Sequence, residues 1–389
     1  MSLPPVRRAV SLAREHPDVG KVGFHAALPG YDTALFDSGT TALAMAIAEA
    51  RARHGSGNPE VVLPAYCCPD IVASSLFASV RPRLVDVAPG QWGYDSQALQ
   101  AALNRDTVAV VAVNLLGAGD DAARLLPTVH ANGSLLIQDS AQHLPPASQA
   151  KWWGDYVVLS FGRGKPLNLL RGGALMSQRA HPLTRGELGH HCSSRARIVT
   201  TALGTRAAAV AFNTVTHPRM FWLTSRLPGL GLGATRYHAL ESPTSLPHSV
   251  WGQVGPAYER YSRETWELPW SRVLPDWRPL GIESLACGGV AAPAETRRLR
   301  LALLAADRGQ RDALVGELNR HGLGASVMYD VALNRIADVP AQIAALPAFP
   351  NADALAGRLF TLPTHSAVTP DVVARADACV RRHARARIS

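Results

Sequence analysis

The sequence predicts an α/β protein with a large domain on a mostly parallel sheet and a smaller α+β unit toward the C-terminus. Two observations carry this. Over the first 150 or so residues, short apolar runs alternate with helical segments of about ten to fourteen residues, the pattern of βα units. From about residue 285 a second, shorter alternation begins. In such sheets ligands collect at the carboxyl ends of the strands, so polar residues placed just after strands matter most; Asp139, Gln142, Ser160 and Lys165 stand there.

The elements follow in order. Residues 41–54, TALAMAIAEARARH, have helical composition, with Ser38 or Thr40 as cap. EVVLPAY reads as a short buried strand, PDIVASSLFASV as a helix, RPRLVDV as a strand and DSQALQAALN as a helix with an Asp cap. TVAVVAVNLLG is a strong strand, DDAARLLPTVHANG a helix ending in Asn-Gly, and SLLIQDSAQ a strand running into Asp139. DYVVLSF and GGALMS are further strands. The segment 179–236 turns mainly helical and then rich in Gly and Pro, and residues 248–268 read as one long helix. RLRLALLA then reads as a strand, DRGQRDALVGELNRHG as a helix stopped by Gly, and ASVMY as a strand. GRLFTLP and the helix TPDVVARADACVRRHA close the pattern. These readings divide the chain into a large domain, 1–245, with an Arg-rich insert at 179–236, and a unit at 246–389 made of a connecting helix and the small domain.

Composition narrows the function classes. With 389 residues, 47% hydrophobic and 18% charged, the chain has ample material for a core. Five cysteines without framework spacing point to a reducing compartment, hence to the cytoplasm. The N-terminus lacks a signal-like apolar run, and no window of about 18 apolar residues predicts a membrane span. The formal charge is +9, concentrated in 179–236, where eight arginines face one acid, Glu187. That balance suits an anionic small-molecule substrate, or contact of this segment with a membrane surface. No helix-turn-helix or RNA-binding motif supports a nucleic-acid partner.

Arginine carries almost all of the positive charge; only Lys21, Lys151 and Lys165 break the rule. Lys165 sits in SFGRGKPLNLLRGG, residues 160–173. A P-loop is excluded, because Pro166 stands where Ser or Thr would bind magnesium. The doublet His190-His191 beside Cys192 reads as a surface pair without a metal cluster. What remains fits pyridoxal phosphate. That cofactor needs an amine for its aldehyde, as Lys165 offers, and a carboxylate to keep its ring nitrogen protonated, as Asp139 offers. Its phosphate needs donors: Gly39, Thr40 and Thr41 open a helix whose N–H groups and dipole favour an anion, and Ser160 adds a hydroxyl.

These motifs, in this order, resemble the DegT/DnrJ/EryC1/StrS aminotransferases, a branch of fold-type I pyridoxal-phosphate enzymes. SGTTALAMAI, IQDSAQHLPP, SFGRGKPLNLLRGGALM, VNLLGAGDD and RLFTLPTH carry the likeness. The resemblance implies an aspartate-aminotransferase-like fold with a seven-stranded sheet, and a homodimer whose active site lies at the subunit interface. It implies that pyridoxal 5'-phosphate is bound covalently to Lys165, which acts as proton shuttle. Asp139 would pair with the ring nitrogen, Gln142 would lie near the ring hydroxyl, and Gly39, Thr40, Thr41 and Ser160 would hold the phosphate. It further implies transfer of an amino group, with glutamate as donor, to a keto-sugar that is nucleotide-linked. Relatives with His at the lysine position are dehydratases, so Lys165 argues for transamination. The alternatives are another pyridoxal-phosphate reaction or a non-sugar substrate on the same fold, and a non-catalytic regulatory protein. Three positions depart from the family pattern. Cys68 replaces the aromatic residue over the ring, so that either Cys68 or Tyr66 would cover it. Thr244 or Ser245 stands where an Asn from the neighbouring subunit is usual. Residues 168–171, NLLR, replace the usual glycine and glutamate.

Overall fold

The computed structural model describes residues 2–6, 10, 28, 30–117, 122–145, 151–178, 182–184, 202–224, 235–264, 267–285 and 297–388. A seven-stranded sheet forms the larger layer, in the order β1-β7-β6-β5-β4-β2-β3. Its strands are β1 (Tyr31–Phe36), β2 (Glu60–Pro64), β3 (Arg81–Val85), β4 (Thr107–Val113), β5 (Leu135–Asp139), β6 (Tyr156–Ser160) and β7 (Gly173–Gln178). Only β7 runs against the rest; it pairs antiparallel with both β1 and β6. The remaining pairs are parallel, as the βα alternation predicts. β2 is buried throughout, and β4 in all but its last residue. Both faces of these strands are therefore covered, which is why they read as unbroken apolar runs.

Helix α1 (Gly39–His54) crosses one face of the sheet and buries Thr41 through Ile47. Its alanines let it lie close on β6 and β7. Ser38 caps it by accepting from the Thr41 N–H, and Gly55 closes it in the left-handed conformation at φ 71°. Helices α2 (Asp70–Phe77), α3 (Ser96–Ala102) and α4 (Ala122–Ala131) complete the crossovers, and Asp95 caps α3 as expected.

The pair α5 (Ala202–Val215) and α6 (Pro218–Thr224) confirms helix within the basic segment; residues 179–181, 185–201 and 225–234, and with them His190, His191 and Cys192, lie outside the described residues. Helix α7 (His248–Arg263) packs Val250, Val254, Tyr258 and Tyr261 against Val157, Leu159 and Met176 of the large sheet.

The smaller layer contains a short helix α8 (Leu274–Trp277) and an antiparallel sheet β10-β9-β8, with β8 at Glu283–Ser284, β9 at Arg300–Leu304 and β10 at Leu359–Pro363. Helices α9 (Arg308–Arg320) and α12 (Pro370–Ile388) cover it around Trp270, Trp277, Leu301, Leu303 and Phe360. Between them, α10 (Ala341–Ala344) and α11 (Pro350–Arg358) pack Ile343 and Leu355 into the core shared with the large sheet. No helix among the described residues is long and apolar enough to cross a membrane.

Three expectations need correction. β1 gives little signal in the sequence and is an additional edge strand. The segment ASVMY is not a strand: its backbone pairs with β10 only through Ser326 and Thr361, and Tyr329 instead packs edge-on against Tyr66 with ring centres 5.6 Å apart. The long helix predicted to Leu268 ends at Arg263, with Glu264 extended at the C-cap.

Candidate active site

At the carboxyl ends of β4, β5 and β6, one cavity collects residues from six segments. Its lining includes Gly39 and Thr40, Cys67 and Cys68, Asp70, Asn114, Asp139 and Gln142, and Ser160 and Lys165. Seven of the eight residues proposed from sequence therefore meet at one place, drawn from positions as far apart as 39 and 165. A larger cavity, about 1260 Å³, lies elsewhere, between the end of α7 and the start of α12. It lacks this combination of groups.

Close approach of backbones builds the cavity floor. A Cβ on Gly39 would stand 2.7 Å from Ser160 Cβ, so only glycine lets the start of α1 lie against the end of β6. A Cβ on Gly173 would stand 2.5 Å from the Ser38 carbonyl oxygen, which fixes β7 against the same turn. Asp37 ties the turn together. Its carboxylate accepts from the Thr41 hydroxyl at 2.6 Å and from the Thr244 hydroxyl at 2.7 Å. Thr41 is the site residue that does not line the cavity. It is fully buried, its N–H donates to Ser38 Oγ and its hydroxyl to Asp37, so it builds the helix start without facing a ligand. Thr244 is likewise engaged within its own chain.

Asp139 ends β5 and is nearly buried; its Oδ1 accepts from the Ala141 N–H at 2.9 Å. Burial pushes its carboxyl above the usual range, the Ala141 amide and Lys165 pull it back, and the Asp70 charge adds to the rise. A buried carboxylate facing a cavity with a single donor suits a cationic partner. The Gln142 Oε1 accepts from the Leu116 N–H at 3.1 Å, which holds the side chain at the cavity edge. Asn114 donates to Ser140 Oγ at 2.6 Å and steadies the loop after β5.

Cys68 and Tyr66 are placed differently. Tyr66 is locked in the core, with its hydroxyl donating to the Tyr329 carbonyl at 3.1 Å, whereas Cys68 lines the cavity. Leu167, just before the NLLR stretch, and Leu169 within it are core residues, and the Leu169 N–H donates to the Phe161 carbonyl. Asn168 accepts from the Leu170 N–H, which supports Leu170 at φ 69°. Those residues shape the return from Lys165 to β7; they are not among the cavity lining.

Sequence reasoning passed over Asp70 and Asn114. Asp70 opens α2 just past the end of β2, where a polar residue after a strand was the available signal.

A mostly parallel sheet with one reversed strand, a carboxylate at the end of β5 and a lysine five residues past β6 match the architecture that the resemblance to fold-type I pyridoxal-phosphate enzymes implies. The model of the DegT/DnrJ/EryC1/StrS aminotransferase family matches residues 30–203 and 291–381. The chain belongs to that family. Among solved structures, DesV from S. venezuelae, solved with a ketimine intermediate, superposes with a TM-score of 0.64 at 19% identity, covering 96% of this chain and 90% of that one. DesI, solved in the presence of its TDP-sugar product, gives a TM-score of 0.64 at 18% identity, covering 96% of this chain and 86% of that one. At such identities the likeness is one of fold. A protein of Streptoalloteichus tenebrarius, named as a candidate L-glutamine:3-amino-2,3-dideoxy-scyllo-inosose aminotransferase, is 29% identical over 150 residues, or 37% of this chain and 34% of that protein. The chain thus matches about a third of the length of that curated relative.

Proposed function

We propose that the cavity holds pyridoxal 5'-phosphate and that the protein is an aminotransferase that passes an amino group from an amino acid to a keto-sugar. The observation that carries this is the meeting of Lys165, Asp139, Ser160 and the start of α1 in one cavity. The donor set fits the group: a free amine, a buried carboxylate with one hydrogen bond, and a glycine-opened helix start beside a hydroxyl. When bound, pyridoxal phosphate supplies an aldehyde for an amine and a ring that accepts the electrons released at the neighbouring carbon.

Each residue then has one task. Lys165 offers Nζ to the aldehyde and carries the proton exchanged during transfer. Asp139 holds a proton on the ring nitrogen and so keeps the ring electron-poor. The N–H groups at Gly39 and Thr40, with the Ser160 hydroxyl, hold the phosphate. Gln142 positions the ring from its edge through its amide, and Cys68 covers a ring face as a small, polarisable group. A homodimer with sites at the interface, glutamate as donor and a nucleotide-linked keto-sugar as acceptor complete the reading. The product named for DesI is the reason to try nucleotide-linked acceptors first, and the excess of arginine at 179–236 suits their diphosphate.

Purified protein mixed with pyridoxal phosphate is expected to absorb in the visible, and borohydride is expected to fix a pyridoxyl mass on Lys165. Lys165→Ala should lose both signals and all transfer activity. A wild-type protein that stays colourless and takes up no mass would refute the reading.

A further inference from the structure

Among the described residues, three charged side chains line the cavity: Lys165, Asp139 and Asp70. The reaction proposed above uses the first two. Asp70 has no task in it, and its position is unexpected. Its Oδ2 accepts from the Thr40 hydroxyl at 3.3 Å. Ser74 Oγ lies 2.9 Å from both the Thr40 and the Asp70 carbonyl oxygens, so the starts of α1 and α2 are tied together at this point. A carboxylate is thereby held one threonine side chain away from the helix start that serves as the phosphate cradle. No Arg or Lys forms an ion pair with Asp70 among the described residues. Its field is felt inside the cavity, because it raises both Asp139 and Cys68.

A fixed negative charge beside an anion cradle opposes the anion. The opposition does not act equally on the two forms of the cofactor. On the pyridoxal reading, the aldehyde form would have a second anchor in covalent attachment to Lys165. The amine form would have none and would depend on the phosphate and the ring contacts. Resting on the pyridoxal reading, we infer that Asp70 weakens the hold on the phosphate so that the amine form of the cofactor exchanges with solution. Asp70 is thus a positioning residue that sets retention of the cofactor and takes no part in proton transfer.

The test compares pyridoxamine 5'-phosphate with pyridoxamine, which lacks the phosphate, by fluorescence titration of the cofactor-free protein. Asp70→Asn keeps the acceptor for Thr40 and removes the charge; Asp70→Ser replaces it if the asparagine variant does not fold. The variant should bind pyridoxamine 5'-phosphate about tenfold more tightly, equivalent to about 1.4 kcal/mol, and bind pyridoxamine as the wild type does. Equal affinity for the phosphorylated form in both proteins, or an equal gain for both compounds, overturns the inference. Wild-type protein that binds neither compound overturns the pyridoxal reading as well, which separates the two failures.

Discussion

The two ends of the large sheet treat a buried carboxylate in opposite ways. At the amino end, Glu60 opens β2 with 2% exposure and is surrounded by donors. Arg83 Nε lies 2.7 Å from its Oε2, Asn104 donates at 3.0 Å, and Arg81 pairs with Oε1. Burial works against the charge, but the hydrogen bonds from Arg83 and Asn104 and the two guanidinium charges hold Glu60 below its usual range. At the carboxyl end, Asp139 has one amide donor and a carboxyl pushed upward. The same chemical group is satisfied at one end and left wanting a cation at the other. A buried charge with a complete set of partners belongs to the fold; one facing a cavity with an incomplete set marks a place for a ligand.

Asp139→Asn should give the largest effect on this comparison. On the proposed function, it removes the charge that would face the ring nitrogen and is expected to slow transfer about a hundred- to a thousandfold, the scale of a removed preorganised electrostatic contact. The cofactor-free protein should melt higher near neutral pH. The sign follows from the raised carboxyl: the folded state holds that proton more tightly than the unfolded chain does. Its penalty is therefore absent below the ordinary aspartate value of 3.8 and grows as pH rises through the folded value. Activity and thermal melts of one variant would thus move in opposite directions. A variant that loses both would place Asp139 with Glu60 as a structural residue.

Glu60→Gln is the counterpart and should cost about 1–2 kcal/mol in urea unfolding, less than a fully enclosed pair because Arg81 and Arg83 are 58% and 41% exposed. Its pH dependence has the opposite sign to that of Asp139. The stabilisation by Glu60 is complete above the ordinary value of 4.5 and is lost as pH falls through the lower folded value. The wild type should lose this contribution in acid, and Glu60→Gln should show a flatter acid limb, with transfer activity per folded molecule unchanged.

The same contrast explains what the sequence revealed. β2, β4, β5 and β6 are buried on both faces, so composition alone marks them. β1 is an edge strand that contains Asp32, and its pairing with β7 spans 140 residues of chain, which no local pattern records. ASVMY has strand composition and buries Ala325 and Tyr329 at its two ends, yet the ring of Tyr66 and the ion pairs of Asp330 with Arg308 and Arg311 fix the segment in another way. In the site, Lys165, Asp139 and Ser160 sit in local motifs whose spacing carries the chemistry. The sequence of a helix start does not say which of its residues face a cavity, and Thr41 turns its N–H and hydroxyl to Ser38 and Asp37 instead. The nearness of Asp70 to Thr40 exists only once α1 and α2 pack together.

The smallest expected effect concerns Cys68, another titratable group at the carboxyl end. Burial, and after it the Asp70 carboxylate, push its thiol up to about 12, with Lys165 and Tyr329 pulling the other way. Such a thiol is ionised in about one molecule in ten thousand at pH 8, so iodoacetamide should label the peptide containing Cys67 and Cys68 very slowly in native protein. On the proposed function, Cys68→Ser should lower cofactor affinity by no more than a few-fold, since serine would offer a group of similar size there and neither contributes charge. Rapid labelling at pH 8 would mean that Lys165 outweighs burial and Asp70 at this end of the sheet. Asp139 would then have enough positive charge nearby without a ligand, and the contrast with Glu60 would fail.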